Sequence, residues 1–512
     1  MNSDEAVQAI LSYHEKTNHS VRSVREGNFA LDFSILPRLY KLYRRAQTVA
    51  LPEDAALPDD GAPSTVPALA AIAGEAAATD GAPSLDDVTA LLKLSAGITK
   101  WLKVPNGRMA FRAASCTGAL YHIELYLVCG DLPGLPAGVY QYGAHDNALR
   151  IVRAGDHRGA LVAATGGDEA VAAAPASIVY TSVFWRNAWK YQSRAYRHTY
   201  WDCGTVLANT LAVAGSRGLR ARVVTGFVDD SVNRLVDVDG VKEASVAVVP
   251  VGAGAGAVQP EAAPARLNLE TLPYSPKEID YPLIREAHAA TSLDEEGVVA
   301  WRAQGAASPF DFPQGERVDG ETAESVERVI LRRGSTRQFQ LAPIGEDALR
   351  TTLAAAMRPL PGDWPSLDGA PVNTLYLIVN AVDGLQPGGY VYHPEDSELE
   401  LLMDGDQRFI AGHLGLNQAL AHDAAANCYF LTDLGAATAA MGARGYRAAQ
   451  LDASVRAGRL YLSAYAMGLG ATGLTFFDDE VTQFFSPHAA GKSVMFLTLL
   501  GVPQKRRRVM PE

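Results

Sequence analysis

Residues 132–158 read LPGLPAGVYQYGAHDNALRIVRAGDHR, and residues 382–408 read VDGLQPGGYVYHPEDSELELLMDGDQR. The two stretches align without a gap at an offset of 250 residues. The positions that recur are Gly134, Leu135, Gly138, Tyr140, Tyr142, Asp146, Leu149, Gly155, Asp156 and Arg158, matched by Gly384, Leu385, Gly388, Tyr390, Tyr392, Asp396, Leu399, Gly405, Asp406 and Arg408. Because chance similarity rarely holds register over such a length, the chain is predicted to contain two related domains fused in tandem.

The same offset relates the segments that follow. SRAYRHTYWDCG at 193–204 aligns with ARGYRAAQLDAS at 443–454 and shares with it two arginines, a tyrosine and an aspartate. A Gly/Ala/Pro-rich passage begins at Pro250, which is typical of a domain boundary. We therefore predict three parts, namely a first domain at 1–255, an arm that crosses the surface at 256–320 and a second domain at 321–512.

Local patterns predict an α+β fold for each domain. Apolar residues recur at spacings of three and four from Tyr200 to Ala214, which indicates a helix with one face in a core, and Gly218 is well placed to end it. Four short β-rich runs predict strands, namely IELYLVCG, NTLYLIVN, GVYQY and GYVYH. Each sheet should pack against a long central helix, whereas the Ala-rich passage 51–83 is expected to be a loop.

Composition limits the function classes. The 512 residues carry a formal net charge of −12, so no overall positive field would attract nucleic acid or an anionic membrane. The four cysteines form no CxxC pair, which disfavours a zinc ribbon and a disulfide framework. The N-terminal residues lack the basic segment followed by an apolar segment that is typical of a secretory signal peptide. The sequence also has no run of about 18 apolar residues, the length needed to span a membrane. We expect a globular, cytoplasmic protein.

One segment has the composition of an anion site. RVILRRGSTRQFQLAPI, at 328–344, places Arg332, Arg333 and Arg337 around Ser335 and Thr336. Guanidinium groups bind phosphate through paired hydrogen bonds, and hydroxyl groups add donors. A basic turn exposed on an acidic protein explains the segment equally well. The C-terminal GVPQKRRRV adds a second basic cluster, for which a solvated tail is the alternative interpretation.

The two halves are unequal in these features. The first half has no arginine between Arg45 and Arg108, so it lacks a counterpart of RRGSTR. It has instead FRAASCTGALYHIE at 111–124, whose small residues allow a backbone to approach a planar ligand. The second half has Gly362 and Asp368 at the corresponding positions of this loop. The sequence thus predicts one composite site, with the anion contacts from the second half and the loop from the first.

These motifs together resemble the nitroreductase superfamily, and within it the tandem SagB/ThcOx-type dehydrogenases. The resemblance extends from Tyr13 to Gly501 and includes RRGSTRQF, RAASCTGALY, LPAGVYQY, WKYQSRAYRHTYWDCG and GLGATGLTFFDDE. It implies an α+β flavin fold that is usually dimeric, with FMN at the dimer interface. In this chain the two fused domains would form an intramolecular pseudo-dimer and supply that interface themselves.

The resemblance also implies which residues hold the cofactor. The phosphate and ribityl contacts match Arg333, Ser335 and Arg337, and a C-terminal phosphate contact matches Arg506 and Arg508. The loop at the flavin edge matches Ala471, Thr472 and Gly473, and the loop from the other domain matches Arg112, Ala114, Ser115 and Cys116. Two departures stand out, because Ala114 replaces the usual proline and Gly334 displaces the usual serine.

The segment FWRNAWKYQSRAY carries the predicted catalytic groups. Lys190 and Tyr191 match a Lys-Tyr pair of azoline-oxidising members, whereas the second half has Ala440 and Met441. Dehydrogenation removes a hydride and a proton, and a lysine can take the proton if desolvation or nearby Arg186 lowers its pKa. The alternative is ordinary surface decoration of a helix. The eleven histidines show no metal-like pairing, so no metal is expected.

Three functions follow from these observations. The first is an FMN-dependent dehydrogenase that oxidises an azoline in a small molecule or peptide, with oxygen reoxidising the flavin. A biosynthetic partner such as a cyclodehydratase would then supply the substrate. The second is an NAD(P)H-driven reductase of nitroaromatics or quinones. The third is a flavin-binding subunit of a biosynthetic complex without turnover.

Overall fold

The computed structural model describes residues 2–53, 66–104, 107–254, 256–304, 324–367 and 369–504. They form two six-stranded antiparallel sheets and a hairpin. The first sheet has the order β1-β6-β5-β4-β7-β8, with β1 Thr48–Ala50, β4 Ile123–Cys129, β5 Gly138–Gly143, β6 Ala148–Ala154, β7 Ala176–Val183 and β8 Glu243–Val251. The second has the order β11-β10-β9-β12-β14-β13, with β9 Thr374–Val379, β10 Gly388–His393, β11 Glu398–Asp404, β12 Ala426–Thr432, β13 Gly470–Gly473 and β14 Ser493–Gly501. The hairpin consists of β2 Ile98–Val104 and β3 Gly107–Arg112.

Helices surround the sheets. In chain order they are α1 Ser3–Lys16, α2 Val21–Glu26, α3 Ala68–Ala73, α4 Leu85–Ala96, α5 Arg158–Ala164, α6 Glu169–Ala173, α7 Phe184–Tyr191, α8 Ala195–Ser216, α9 Asp229–Leu235, α10 Pro282–Thr291, α11 Glu295–Ala303, α12 Val326–Arg332, α13 Glu346–Met357, α14 Arg408–Leu414, α15 Ala419–Asp423, α16 Leu434–Met441, α17 Gly445–Ala466 and α18 Asp478–Phe484. Within the described ranges, none of these helices has both the length and the apolar character needed to cross a membrane.

The elements repeat as the sequence predicts. Strands β5, β6 and β8 recur 250 residues later as β10, β11 and β14, and helix α8 recurs as α17. The four runs predicted to be strands are β4, β9, β5 and β10. The predicted helix is α8, and Gly218 lies just beyond its end with a φ of +67°, a left-handed conformation that favours glycine. The prediction of two fused α+β domains is confirmed.

The two halves meet along helices α8 and α17. Gly204 of α8 faces Ser454 of α17, and a Cβ on this glycine would collide with the serine Oγ. Four residues further along, the glycine belongs to α17 instead of α8: a Cβ on Gly458 would lie 2.5 Å from the Cβ of Ala208 in α8. Small residues at both crossing points let the two helix backbones approach closely. Ser454 Oγ also donates a hydrogen bond of 2.8 Å to Tyr200 O across the interface.

Two buried ion-pair clusters join the halves symmetrically. Arg444 and Arg447 of α17 bind Asp229 at the start of α9, with nitrogen–oxygen distances of 2.8 and 2.7 Å. The arginines 250 residues earlier bind Asp478 at the start of α18, at 3.0 and 2.6 Å. Burial would raise the pKa of each aspartate, but the paired arginines lower it below its ordinary value. Both carboxylates therefore stay ionised.

Two expectations about the connecting segments are wrong. The passage 51–83 is not entirely a loop, because it contains α3, in which five of the six residues are buried. Alanine favours helix and packs closely, so an Ala-rich stretch can enter a core. The segment 256–320 is more than a surface arm, since it contains α10 and α11 with Ile284 and Trp301 buried.

Helix α10 has the same place in the second half as α1 has in the first. Arg447 Nε donates to Thr291 Oγ1 at 2.8 Å, and Arg197 Nε donates to Thr17 Oγ1 at 3.0 Å. In both halves, the backbone just beyond this helix donates to the buried aspartate of the cluster. The second repeat therefore begins inside the segment that was expected to be an arm.

We expect Asp229→Asn to destabilise the protein by about 3–5 kcal/mol, because two buried arginines would lose their counter-charge. Denaturant or thermal unfolding of the full chain would measure this change. Asp230→Asn is the matched control, because Asp230 is the next residue, is exposed and pairs at the surface with Arg234 and Arg266. Its expected cost is below about 1 kcal/mol. Equal effects of the two substitutions would contradict the structural role of the cluster.

Candidate functional site

The basic loop 333–337 of the second half lies against the first half. Arg333 Nε donates to Ala113 O at 2.8 Å, and its Nη2 lies 3.4 Å from Arg112 O. At the other end of the loop, Thr336 N donates to Ala471 O of β13 at 2.9 Å. The loop is thus fixed between a segment of the first half and an edge strand of its own sheet.

This loop concentrates positive charge that has no carboxylate partner within the part of the chain that the structure describes. Among the described ranges, Arg333 bonds only to backbone carbonyl groups, and Arg337 forms no ion pair. Burial lowers the pKa of Arg333, as expected for a desolvated guanidinium without a counter-charge. The Oγ1 of Thr336 is buried and has no hydrogen-bond partner. The loop therefore offers guanidinium and hydroxyl donors to an anion.

The third arginine of the predicted cluster lies elsewhere. Arg332 forms a surface ion pair with Glu324, and its Nη2 also donates to Tyr465 O at 2.8 Å. The alternative interpretation, a basic surface turn, thus describes Arg332, whereas Arg333 contacts the first half; Arg337 is exposed.

The first half contributes the segment after β3. Ala114, Ser115 and Cys116 line a small cavity together with Arg112 and Tyr121. Ala114 is buried, whereas Ser115 and Cys116 are half-buried. The predicted cross-interface loop thus forms a wall of small side chains beside the arginine loop of the other half.

The guanidinium of Arg112 is bound within the first half. Its Nη2 donates to Leu39 O at 2.7 Å, and the group lies 5.3 Å from the ring centroid of Tyr121 and 5.5 Å from that of Tyr40. At the arginine loop, Arg112 offers its carbonyl oxygen to Arg333.

Asp202 of α8 organises this wall, and sequence reasoning missed its role. Its carboxylate accepts from Cys116 Sγ at 2.9 Å, from Thr117 N at 2.9 Å and from Thr117 Oγ1 at 2.7 Å, and His122 Nε2 lies 2.8 Å away. Burial, with the charge of Asp202, raises the pKa of the Cys116 thiol. The recurrence of this aspartate as Asp452 was visible in the repeat, but its partners are not adjacent in sequence.

Three groups of this network can in principle ligate a metal. Donor atoms of Cys116, His122 and Asp202 lie within 4.8 Å of one another. Because hydrogen bonds already join the thiol and the imidazole to the carboxylate, we interpret the cluster as the support of the loop. The expectation that the protein needs no metal remains a prediction.

Lys190 and Tyr191 end helix α7 beside the same loop. Gly118, with a φ of +61°, makes room for the tyrosine, because a Cβ there would lie 2.9 Å from the Tyr191 hydroxyl. Burial and the charges of Asp202 and Cys116 raise the pKa of Tyr191, so its phenol stays protonated at neutral pH. The ammonium of Lys190 lies 5.2 Å from the Tyr191 ring centroid. The two residues are thus a contacting pair.

Arg186 does not have the role expected for it. Its side chain is fully buried and forms an ion pair with Glu124 at 2.7 Å, and its Nη1 donates to Tyr121 O at 2.6 Å. Because Glu124 compensates its charge, Arg186 acts on the loop structure rather than on Lys190.

The edge-strand residues Ala471, Thr472 and Gly473 lie in β13, next to the arginine loop. The first two are buried, and Gly473 N donates to the Tyr461 hydroxyl. The predicted C-terminal contacts, Arg506 and Arg508, fall outside the described residues.

A model of the nitroreductase family matches residues 82–253 and 330–510, which contain most strands of both sheets and the loops that meet between the two halves. This chain belongs to the nitroreductase family. It is accordingly an oxidoreductase, built from two nitroreductase domains in one polypeptide.

Individual relatives agree with this assignment. A nitroreductase-like protein of Methanocaldococcus jannaschii is 25% identical over 142 residues, which is 28% of this chain and 70% of that protein. The microcin B17-processing protein McbC of Escherichia coli is 31% identical over 127 residues, 24% of this chain, and the match spans about half (47%) of McbC. A crystal structure of a nitroreductase-like protein from Anabaena variabilis, with 25% identity and a TM-score of 0.76, covers 97% of this chain and 99% of its own.

The internal repeat creates a second position between the two nitroreductase domains, equivalent to the candidate site. This second place is filled by side chains of the protein. Asp363 of the second half accepts hydrogen bonds from Thr225 N at 2.8 Å, Gly226 N at 2.7 Å and Trp301 Nε1 at 3.1 Å. Residues 223–226 correspond to residues 473–476, which begin at the last residue of β13 in the second half. The indole of Trp301 lies so close to Gly226 that it would collide with any Cβ there.

Arginine side chains fill the rest of this second place. Asp452, the counterpart of Asp202, pairs with Arg456 at 3.0 Å. Arg459 Nη1 donates to Arg358 O at 2.9 Å, and Arg358 pairs with Glu75 at 2.6 Å. The protein's own side chains thus occupy the site that symmetry would otherwise create.

Proposed function

We propose that the protein is an FMN-dependent oxidoreductase that binds one flavin per chain between its two halves. The observation that carries the proposal is the contact of Arg333, from the second half, with the carbonyl oxygen of Ala113 in the first. This contact brings an arginine loop without carboxylate partners to the wall that lines the small cavity.

The residues present fit this cofactor. Arg337, Ser335 and the hydroxyl of Thr336 would hold the phosphate, since they supply two hydroxyl donors and a guanidinium that has no ion pair with any described residue. The small residues Ala114 and Ser115 leave room for a planar ring on the side of the first half. Residues 471–473 of β13 would pass the edge of that ring from the second half.

The second, filled place supports a single site. Several of its polar groups are paired within the protein, namely Asp363 with Thr225 and Gly226 and Arg456 with Asp452. A flavin could enter there only by leaving these buried charges unpaired, which is costly.

For the reaction, we propose azoline oxidation of the kind found in SagB-type dehydrogenases. The support is the similarity to McbC, a microcin-processing protein, together with the contacting Lys190–Tyr191 pair, which the second half lacks. Bound FMN would supply the hydride acceptor, at its N5. Lys190, present as the neutral amine, would take the proton that leaves with the hydride, and oxygen would be the final electron acceptor.

Tyr191 has a different task in this proposal. Because its phenol stays protonated, it can donate a hydrogen bond to the substrate or to the neutral amine of Lys190 and so orient that group, but it does not act as the base. Asp202 positions this machinery by holding Cys116 and Thr117, next to the glycine on which Tyr191 packs.

The substrate we propose is an azoline within a peptide, delivered by a cyclodehydratase-type partner that forms the ring. An NAD(P)H-driven reductase would use the same cofactor site, and the choice of electron donor in the experiment below separates the two functions.

We expect Arg337→Gln to raise the Kd for FMN about tenfold or more, because a charge-assisted contact to phosphate would be lost. Flavin titration of the reconstituted protein would measure it. Arg332→Gln, at the end of α12 just before the loop, is the matched control, since that arginine pairs with Glu324 at the surface, and the Kd for FMN should not change. Unaltered FMN affinity in Arg337→Gln would contradict the proposed phosphate site.

We expect Lys190→Ala to retain FMN but to lower the rate of flavin reduction by a thiazoline-containing peptide by about 10²–10⁴-fold. The rate is followed in a single turnover, without oxygen, from the loss of flavin absorbance. Lys16→Ala, at an exposed lysine of α1, is the control. A wild-type rate in Lys190→Ala would refute the assigned base. Reduction by NAD(P)H alone, without any by the azoline peptide, would favour the reductase.

A further inference from the structure

The hairpin β2–β3 is an addition to the first half. Residues 97–122 connect α4 to β4 and contain the hairpin, whereas the shorter connection 358–373 joins α13 to β9. The described residues of that shorter connection contain no strand. Within the described part of the chain, β2 and β3 pair only with each other, so each keeps one edge without a partner strand. Such free edges can accept an additional strand.

The hairpin exposes large apolar side chains. Trp101 is 51% exposed, and Leu102 and Met109 are each 45% exposed. Leu102 and Met109 are directly opposite each other in the register, so they form an apolar pair on the surface. An isolated two-stranded hairpin is only marginally stable in water, and this one buries little of its apolar surface.

The hairpin is also strongly basic. Between Val88 and Ile123 the sequence has five basic residues and no acidic one. Lys103 lies directly opposite Arg108, a like-charge pair that destabilises a hairpin, and neither forms an ion pair among the described residues. An anionic partner at this position would remove the repulsion, on a chain whose net charge is −12.

The base of the hairpin is the wall of the proposed flavin site. Strand β3 ends at Arg112, whose carbonyl oxygen faces Arg333, and Ala113 to Cys116 follow directly. A ligand held along β2–β3 would therefore be close to the cavity lined by this loop.

We propose that the hairpin β2–β3 binds an extended, acidic segment of the peptide substrate, which adds to a free strand edge. Carboxylates on one face of that segment would pair with Lys103 and Arg108, which are opposite each other in the register, and apolar side chains on its other face would cover Leu102 and Met109. This inference rests on the proposed function, because it assigns the docking element for that peptide. A second copy of the chain is the competing occupant, and the test separates it.

The test measures fluorescence anisotropy of labelled peptides with the full-length, FMN-loaded protein. Three peptides of about twelve residues are compared, in which valine alternates with glutamate, valine alternates with lysine, or proline alternates with glutamate. We expect the Glu-Val peptide to bind, and the Lys-Val peptide to bind at least tenfold more weakly. The Glu-Pro peptide should also bind at least tenfold more weakly, because proline lacks the N–H donors that strand addition requires.

Two hairpin variants and one control complete the test. We expect the charge variant Lys103→Glu/Arg108→Glu and the apolar variant Leu102→Ser/Met109→Ser each to weaken binding of the Glu-Val peptide at least tenfold. The control Lys16→Glu/Arg22→Glu changes two exposed basic residues on α1 and α2 and should bind as the wild type does. The flavin content of every variant is measured from its absorbance.

The outcomes separate this inference from the proposed function. Equal binding of all three peptides, or unchanged binding in both hairpin variants with flavin retained, would overturn the docking site while leaving the flavin proposal intact. A protein that takes up no FMN but binds the Glu-Val peptide through the hairpin would overturn the flavin proposal alone. If the wild type dimerises, the charge variant is monomeric and no peptide binds, the occupant is a second copy and the proposal is wrong.

Discussion

The close contact between helices α8 and α17 is the constraint on which the rest of the structure depends. Gly204 and Gly458 remove a side chain at each crossing point, so the two central helices pack backbone to backbone. The buried arginine–aspartate clusters fix the relative orientation of the halves on either side of this contact. With the halves held in this way, the loop 333–337 of one domain contacts the segment 112–116 of the other, so the proposed site draws residues from both domains.

Fusion of the two domains has allowed them to diverge in complementary ways. The candidate site keeps the wall of small residues, the Lys190–Tyr191 pair and the arginine loop, which has no carboxylate partner among the described residues. The other is filled by Asp363, Trp301 and a set of arginines bound to acidic or carbonyl groups. An empty buried cavity destabilises a protein, so a place that no longer holds a ligand gains stability when side chains fill it. The two places thus differ for a physical reason, although they come from one repeated fold.

Part of this account could be predicted from the sequence because it rests on local patterns. The offset of 250 residues predicts the recurring strands and central helices, and the unequal distribution of arginine predicts a single composite anion site. The remaining features depend on contacts between distant residues. Asp202 is identified as the support of the loop only by its bonds to Cys116 and Thr117, and Glu124 was not recognisable as the partner that compensates Arg186. Helix α10 was missed because its relation to α1 follows a different offset and rests on few identities, whereas its buried contacts with Arg447 are plain in the structure.

The central claim is that the two domains form one flavin site between them. The most direct test is to release the flavin from the purified, reconstituted protein with acid and to quantify it per chain. The account predicts about one FMN per polypeptide. Two per chain would contradict the conclusion that the protein's own side chains fill the second place, and none after reconstitution would contradict the assignment of the arginine loop to the flavin phosphate.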